Sequence, residues 1–209
     1  MNLRYYKITP LIIVILLLSV GIDYVVSNVL IPITEGILNL QNFRAPTTTS
    51  LIGGVLVLYN SFLWRYPVFN LLIKVPDIAG RYKGKIKYEY NGVKGEKCCV
   101  LEVTQSASKI KIHSYFNNGN EEKTSSKSLV EDIKKGEDGF FDIYFFYLNS
   151  GSKIDGTLDC HEGVNTLRFI SSKSSTPQKL VGHYFTNRQT QTRGEIEVFF
   201  ESKEINGEF

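Results

Sequence analysis

A 22-residue apolar segment near the amino terminus constrains the fold more than any other feature of this chain. The segment runs from Pro10 to Ile31 and contains an unbroken apolar run from Leu11 to Leu18. A helix of this length, rising about 1.5 Å per residue, can cross a hydrocarbon core of about 30 Å. Pro10 fits the first turn of such a helix, and Pro32 predicts its end. The sequence therefore predicts a first membrane-spanning helix over residues 10–31.

A second apolar stretch, Leu51–Leu63, predicts a second membrane helix, which residues 47–50 can extend. Side chains typical of a headgroup boundary follow it directly: Trp64, Arg65 and Tyr66. Pro67 then predicts the end of the helix. We expect Val68–Ile73 to lie along the membrane surface.

Basic residues flank the two predicted helices and are nearly absent from the loop between them. The loop 34–50 contains a single one, Arg44, whereas the flanks contain Arg4, Lys7, Arg65, Lys74, Arg81, Lys83 and Lys85. Since basic residues favour the cytoplasmic side, both termini are predicted to be cytoplasmic. The alternative is a cleaved signal peptide with a cleavage site near Gly21. No A-x-A-like site follows Gly21, and the apolar pattern continues beyond it.

Small and polar side chains share one face on each predicted membrane helix. Ser19, Asp23 and Ser27 recur every four residues in the first, and Gly53 and Asn60 share a face of the second. Acidic side chains are costly inside a membrane, and small residues allow helices to approach closely. Under one interpretation, Asp23 lies near the outer interface or only pairs the two helices. Under the other, these faces drive self-association between molecules or line a lesion in the membrane.

From Gly80 onward the hydrophobic pattern changes to a period of two, which is typical of β-strands. Residues 80–90 alternate aromatic, aliphatic or glycine positions with charged ones, and Asn91-Gly92 predicts a type I′ hairpin turn. Further strands are predicted over residues 97–105, 109–113, 140–148, 154–160, 166–170, 180–187 and 194–201, with residues 127–133 ambiguous. The predicted turns between them are Asn117–Asn120, Asn149–Ser152, Glu162-Gly163 and Ser171–Ser175.

The predicted fold class is therefore two N-terminal transmembrane α-helices followed by an all-β antiparallel barrel of about eight strands. Residues 1–75 form the two-helix transmembrane region, and residues 76–209 form a cytosolic, ligand-sensing β-barrel. A closed sheet of eight strands has room for one small ligand. Two glycines at predicted inward positions, Gly84 and Gly156, would let strands bend and would open space inside.

The distribution of charge and of reactive side chains excludes several function classes. Residues 1–75 contain five basic and two acidic side chains, so the remainder has 24 − 5 = 19 basic and 21 − 2 = 19 acidic. A neutral barrel argues against binding a DNA or RNA polymer, but not against one small anion. The three cysteines, Cys98, Cys99 and Cys160, have no CxxC spacing and fit a reducing compartment. The three histidines, His113, His161 and His183, are isolated. No P-loop, GxSxG or GxGxxG motif occurs, so we predict no catalytic residue, no metal site and no cofactor.

Four segments of the barrel carry a resemblance to a known family. They are Gly80–Gly84, Ile143–Asn149, Gly156–Gly163 and Gly182–Ile196, the last containing the distinctive run Gly182-His183-Tyr184-Phe185-Thr186-Asn187-Arg188. Together with the two helices before them, they resemble the two-transmembrane β-barrel effectors of CBASS, the cyclic-oligonucleotide-based anti-phage signalling system of bacteria. The resemblance covers nearly the whole chain. It departs at Tyr82, where the family pattern leads us to expect Trp; stacking survives this change.

The resemblance implies a mechanism in which a cognate CD-NTase makes a cyclic dinucleotide on infection and the barrel binds it. The helices then oligomerise, the bacterial inner membrane is disrupted and the infected cell dies. On strand alternation, the predicted ligand-binding residues are Tyr82, Tyr88, Tyr184, Thr186, Asn187, Arg188, Thr190, Thr192 and Arg193. Otherwise, Arg188 and Arg193 would cap a hairpin in water, and the tyrosines would fill the core. The alternative functions are a membrane-tethered lipocalin-like carrier or an envelope assembly protein, followed by an enzyme acting on lipid or nucleotide.

Overall fold

The computed structural model describes residues 2–37, 46–117, 123–149, 151, 160–172 and 177–208. These residues form two compact units. One is Met1–Pro76 with Ser106–Lys109, and the other is Asp77–Gln105 with Ile110–Phe209. The first contains the helices, and the second contains the eight strands.

The first helix, α1, spans Ile8–Val25 and continues through a π-helical turn, Val26–Leu30. Ile8–Leu30 is long and apolar enough to cross a membrane, as predicted. Helical residues then continue past Pro32 into a second π-helical turn, Ile33–Ile37, so the prediction that Pro32 ends the helix was wrong. Proline has no N–H to donate, and the wider i→i+5 bonding of the neighbouring π-helical turns accommodates the missing hydrogen bond.

The second helix, α2, spans only Thr48–Ser61. The hydroxyl of Thr47 caps it by accepting the Ser50 N–H at 3.2 Å. The helix ends well before Pro67, which was the predicted end, and 3₁₀ turns follow at Leu63–Arg65 and Asn70–Leu72. Fourteen residues rise about 21 Å, which is less than the roughly 30 Å of a hydrocarbon core. The predicted loop residue Arg44 lies outside the described residues.

Most residues between α2 and the barrel are exposed, but a few are buried within this unit. Trp64 is 1% exposed, although it was predicted to lie at a headgroup boundary, whereas Tyr66 is 60% exposed. Ile73, the last residue of the predicted surface segment, is buried and forms an antiparallel bridge with Tyr6. Tyr6 also packs on Tyr59 of α2, with ring centroids 6.0 Å apart. These contacts bury Tyr6, Tyr59 and Ile73.

The polar faces predicted on the two helices have different surroundings. The Thr48 hydroxyl donates to the Asp23 carboxylate at 3.3 Å, so Asp23 pairs α1 with the start of α2. Ser19 is half-buried and Ser27 is exposed. Gly53 is exposed and has open space where a side chain would lie. Asn60 is used within the unit, since its side-chain oxygen accepts the Tyr6 hydroxyl at 3.3 Å.

The second unit is a closed antiparallel barrel in which each strand pairs with its neighbours in sequence and β8 pairs with β1. This confirms the predicted eight-stranded antiparallel barrel. Asn91 and Gly92 both have positive φ, at 51° and 78°, as the predicted type I′ turn requires. The strands are β1 Gly80–Tyr90, β2 Val93–Gln105, β3 Ile110–Asn117, β4 Lys123–Lys135, β5 Phe141–Asn149, β6 His161–Ile170, β7 Lys179–Thr186 and β8 Arg193–Ser202.

One stretch that the sequence left ambiguous is a strand, and one predicted turn is wrong. The ambiguous stretch 127–133 belongs to β4, where an irregularity between Ser128 and Val130 shifts the register and interrupts the alternation. The predicted turn at Glu162-Gly163 lies inside β6, where Gly163 pairs with Tyr147. The strand predicted over 154–160 lies almost entirely among residues 152–159, which are outside the described residues. The predicted inward glycine, Gly156, is one of them.

The barrel interior is solid at the end where β1 begins. Inward positions there carry buried side chains that fill this half: Tyr82, Leu101, Val103, Ile110, Ile112, Ile133, Ile143, Leu167, Leu180 and Val198. The inward positions at the opposite end carry aromatic, polar and basic side chains instead. The change along the strands leaves the second half of the barrel hollow.

Candidate functional site

The hollow half of the barrel contains a cavity of about 330 Å³. It lies where β1, β3, β5 and β7 end and where their partners begin. This volume is within the range of small-molecule sites. Its wall is formed by Ile86, Tyr88, Tyr90, Lys97, Ser114, Phe116, Thr124, Ser126, Tyr147, Asn149, His161, Asn165, Tyr184, Thr186, Arg188, Thr192 and Ile196.

The cavity wall is positively charged. Lys97 and Arg188 are its permanent cations, and no described lining residue is a carboxylate. The Lys97 ammonium lies 5.2 Å from the centroid of the Tyr88 ring. A guanidinium nitrogen of Arg188, Nη2, lies 2.9 Å from Nδ1 of His161. In a low-dielectric interior, these cations favour an anionic guest, since the described lining residues include no carboxylate.

Several buried polar atoms of the wall have no hydrogen-bond partner within the described part of the chain. They are Oδ1 of Asn165, Nε of Arg188 and Oγ1 of Thr192. A buried polar atom without a partner costs about 1–3 kcal/mol. Because all three belong to residues that line the cavity, a guest with both donors and acceptors would recover part of that cost. The wall is therefore suited to a polar ligand.

Aromatic rings supply much of the remaining surface. Tyr147 and Tyr184 are 6% and 8% exposed, and burial raises the pKa of Tyr147 to about 12, although the charge of Arg188 opposes the shift. Burial also raises the pKa of Tyr184. Both phenols are therefore neutral at physiological pH and can donate a hydrogen bond. Their rings, with those of Tyr88, Tyr90 and Phe116, offer flat faces to planar groups.

The structure places five of the nine predicted ligand-binding residues in this wall: Tyr88, Tyr184, Thr186, Arg188 and Thr192. Asn187 and Thr190 line a second hollow beside it, which shares Tyr90, His161 and Arg188 with the main cavity. Thr186 and Thr192 hold the β7–β8 connection together, because the Thr192 N–H donates to the Thr186 hydroxyl at 3.1 Å.

The other two predicted residues lie away from the cavity. Arg193 is outside, with 70% of its side chain exposed and an ion pair to Glu89 at 3.5 Å. Tyr82 is fully buried at the solid end, where its hydroxyl donates to the Ile78 carbonyl at 2.8 Å and also contacts Gln178. Alternation correctly assigned Tyr82 to the inner face, but it does not distinguish the solid end from the hollow end.

Sequence reasoning missed several wall residues whose signal was present. Lys97 lies two residues from Cys99 on β2, and Asn165 lies two residues from Leu167 on β6, so each shares the inner face with its neighbour. Both could therefore be predicted as inward polar residues. A polar side chain at an inward strand position costs free energy unless it has a hydrogen-bond partner, so such positions indicate a polar site. His161 was interpreted as an isolated structural histidine, and nothing near it in the sequence indicates its contact with Arg188.

Among the residues that the structure describes, no three His, Cys, Asp or Glu side chains gather in a way that could hold a metal ion. The thiols of Cys98 and Cys160 are exposed, and that of Cys99 is buried. The described lining residues of the cavity offer hydrogen bonds, aromatic faces and positive charge.

Comparison with known proteins agrees with this geometry. Residues 73–199 match the family described as Cap15, cyclic dinucleotide receptor domain. The chain is also 25% identical over 144 residues to CD-NTase-associated protein 15 of Staphylococcus schleiferi, covering 68% of this chain and 72% of that protein. The matched family region includes all eight strands up to Phe199. The chain therefore belongs to the Cap15 cyclic dinucleotide receptor domain family, which confirms the resemblance drawn from the sequence.

Proposed function

We propose that this chain is a membrane-anchored CBASS effector whose barrel binds a cyclic dinucleotide in the cavity. Binding then triggers self-association of the helical unit, disruption of the inner membrane and death of the infected cell. The observation that carries the proposal is a cavity with two permanent cations, several aromatic rings and no carboxylate among its described lining residues. In this account a CD-NTase is the source of the ligand.

The chemistry of the ligand matches the wall group by group. A cyclic dinucleotide has two phosphate charges, and the wall has Lys97 and Arg188. Guanidinium groups pair well with phosphate, and aromatic side chains stack on bases. We assign base stacking to Tyr88 and Tyr184. We assign the hydrogen bonds to base or sugar edges to four other predicted residues: Thr186, Thr192, Asn187 and Thr190.

The anchoring part of the proposal rests on residues 1–75, and the sensing part on residues 76–209. Ile8–Leu30 provides one candidate crossing. We propose that α2 provides the second, with both termini cytoplasmic. Because α2 rises only about 21 Å, this crossing requires local thinning of the bilayer or flanking side chains that reach the headgroups.

Self-association is proposed to use faces that the helical unit leaves open. Gly53 is exposed with free space around it, and a second helix could approach its backbone closely. Asp23 lies on the exposed side of α1 near Thr48. In an assembly, this carboxylate could exchange its hydroxyl partner for one on another copy.

A titration of the full chain in lipid nanodiscs with a panel of cyclic dinucleotides tests ligand binding. We expect sub-micromolar binding to at least one of them, and no comparable binding of the matching linear dinucleotide. Failure of every cyclic dinucleotide to bind would refute the proposal. Binding of a fatty acid or another apolar ligand in their place would support the lipocalin-like carrier.

Co-expression with a CD-NTase that makes the bound nucleotide tests the membrane step. We expect growth arrest and uptake of a membrane-impermeant dye only when both proteins are active. Asp23→Leu should reduce killing without changing nucleotide affinity. Val20→Leu, a change at an exposed apolar position of the same helix, should kill as the wild type does. Full killing by Asp23→Leu would show that the polar face of α1 is structural only.

A further inference from the structure

Three tyrosines of the cavity wall share an unusual neighbour. Each has a glycine as a direct cross-strand partner, and Tyr88 has a second one in Gly194. In one pair for each tyrosine, the ring lies over the glycine. The pairs are Tyr88 with Gly95 across β1 and β2, Tyr147 with Gly163 across β5 and β6, and Tyr184 with Gly194 across β7 and β8. Glycine weakens a strand interior, so its repeated use opposite these rings requires a reason.

The rings lie directly over the glycines. A Cβ atom added to Gly95 would come within 2.5 Å of the Tyr88 hydroxyl oxygen. One added to Gly163 would lie 2.5 Å from Cζ of Tyr147, and one added to Gly194 would lie 2.7 Å from Cε1 of Tyr184. Such separations are far below van der Waals contact. Each ring therefore occupies the space that any other residue at the glycine position would fill.

This arrangement determines where the ring surfaces lie. Side chains stand roughly perpendicular to a sheet, so an inward tyrosine in a small barrel would normally project toward the axis. A ring laid over its glycine partner stays close to the wall and turns a face toward the lumen. Three rings held in this way leave the centre of the hollow half open, where the cavity of about 330 Å³ lies.

We propose that Gly95, Gly163 and Gly194 are positioning residues for the ligand: each holds a tyrosine ring flat against the wall, which keeps the cavity open and presents ring faces to the planar groups of the guest. The inference rests on the proposed binding of a cyclic dinucleotide, whose bases are such planar groups. The glycines act through the tyrosines and need no contact with the ligand.

Gly95 offers the cleanest test of the three. The three atoms nearest its added Cβ all belong to the Tyr88 side chain, so alanine at this position acts first on that ring and not on the backbone of a neighbouring strand. Gly163 and Gly194 also lie close to backbone atoms of neighbouring strands, so substitutions there would strain the barrel itself. Moving the Tyr88 ring also disturbs Lys97, whose ammonium lies 5.2 Å from the ring centroid.

The binding experiment uses the full chain in nanodiscs and the tightest-binding cyclic dinucleotide. We expect Gly95→Ala to weaken binding at least tenfold without lowering the unfolding temperature, and Lys94→Ala, at the exposed preceding position, to bind as the wild type does. The double variant Gly95→Ala/Tyr88→Ala should bind no more weakly than Tyr88→Ala alone, because the displaced ring is gone. Wild-type affinity of Gly95→Ala, or additive losses in the double variant, would overturn the inference.

A second measurement is independent of the ligand. In protein labelled with 3-fluorotyrosine, the ¹⁹F resonance that disappears in Tyr88→Phe identifies Tyr88. We expect Gly95→Ala to shift this resonance and to leave that of Tyr82, at the solid end of the barrel, unmoved. An unmoved Tyr88 resonance in Gly95→Ala would overturn the inference. If the resonance shifts in Gly95→Ala but the wild-type protein binds no cyclic dinucleotide, the proposed function alone is refuted.

Discussion

Arg188→Ala is the single change that we expect to weaken nucleotide binding most. Arg188 lines the cavity beside His161, with Nη2 and Nδ1 2.9 Å apart, and its Nε is buried without a partner among the described residues. Alanine removes one of the two permanent cations of the wall. It also leaves a phosphate of the ligand without the guanidinium that would compensate for its lost water.

The size of the effect follows from the bonds that Arg188 can make. A hydrogen bond to a charged group contributes about 1.5–3 kcal/mol, and a factor of ten in Kd corresponds to about 1.4 kcal/mol. Loss of one such bond therefore raises Kd roughly 10- to 150-fold. The loss should be smaller at high salt, because screening already weakens the attraction between the cation and the phosphate.

Arg193→Ala is the matched control. Arg193 belongs to the same β7–β8 region and has the same charge, but 70% of its side chain is exposed and its partner is Glu89 at 3.5 Å. Exposed ion pairs contribute about 0–1 kcal/mol to folding stability, so the loss of this pair should not disturb the barrel. Because Arg193 also lies outside the cavity, this variant should bind nearly as tightly as the wild type. Calorimetric titration of both variants at two salt concentrations gives the comparison. Equal losses in the two variants, or no loss in Arg188→Ala, would refute the phosphate assignment.

The other predictions concern stacking and thiol reactivity. Tyr184→Ala should raise Kd by roughly 5- to 150-fold, since base–aromatic stacking contributes about 1–3 kcal/mol, whereas Tyr82→Phe at the solid end should leave Kd unchanged in the same titration. If Tyr82→Phe weakens binding as much, the division into solid and hollow ends is wrong. In maleimide labelling of the native chain followed by mass spectrometry, Cys98 and Cys160 should react quickly and Cys99 only after unfolding, because burial, and then the nearby Cys98, raises the pKa of the Cys99 thiol. Rapid labelling of Cys99 in the native chain would contradict its burial in the barrel.

Local patterns sufficed to predict most of the barrel. The alternation over Gly80–Tyr90 and the Asn91-Gly92 turn both depend on neighbouring residues alone, and the structure confirms both. Residues 127–133 were ambiguous because the irregularity between Ser128 and Val130 breaks the alternation on which a prediction relies. Gly163 was read as part of a turn, since only its distant partner Tyr147 explains a glycine within a strand.

The candidate site was harder to predict than the fold. Alternation assigns a side chain to the inner or outer face, but the depth of a residue along the barrel depends on how eight strands are staggered. For this reason Tyr82 was grouped with Tyr88, although one lies at the solid end and the other in the cavity wall. The contact of Arg188 with His161 joins residues 27 positions apart in sequence, and no local pattern encodes it.

The structure of the full chain bound to its preferred cyclic dinucleotide tests the central claim most directly. We predict one ligand inside the hollow half of the barrel, with a phosphate oxygen about 3 Å from the Arg188 guanidinium and a base against the Tyr88 ring. A ligand bound outside the barrel, or among the helices with the cavity empty, would contradict the account.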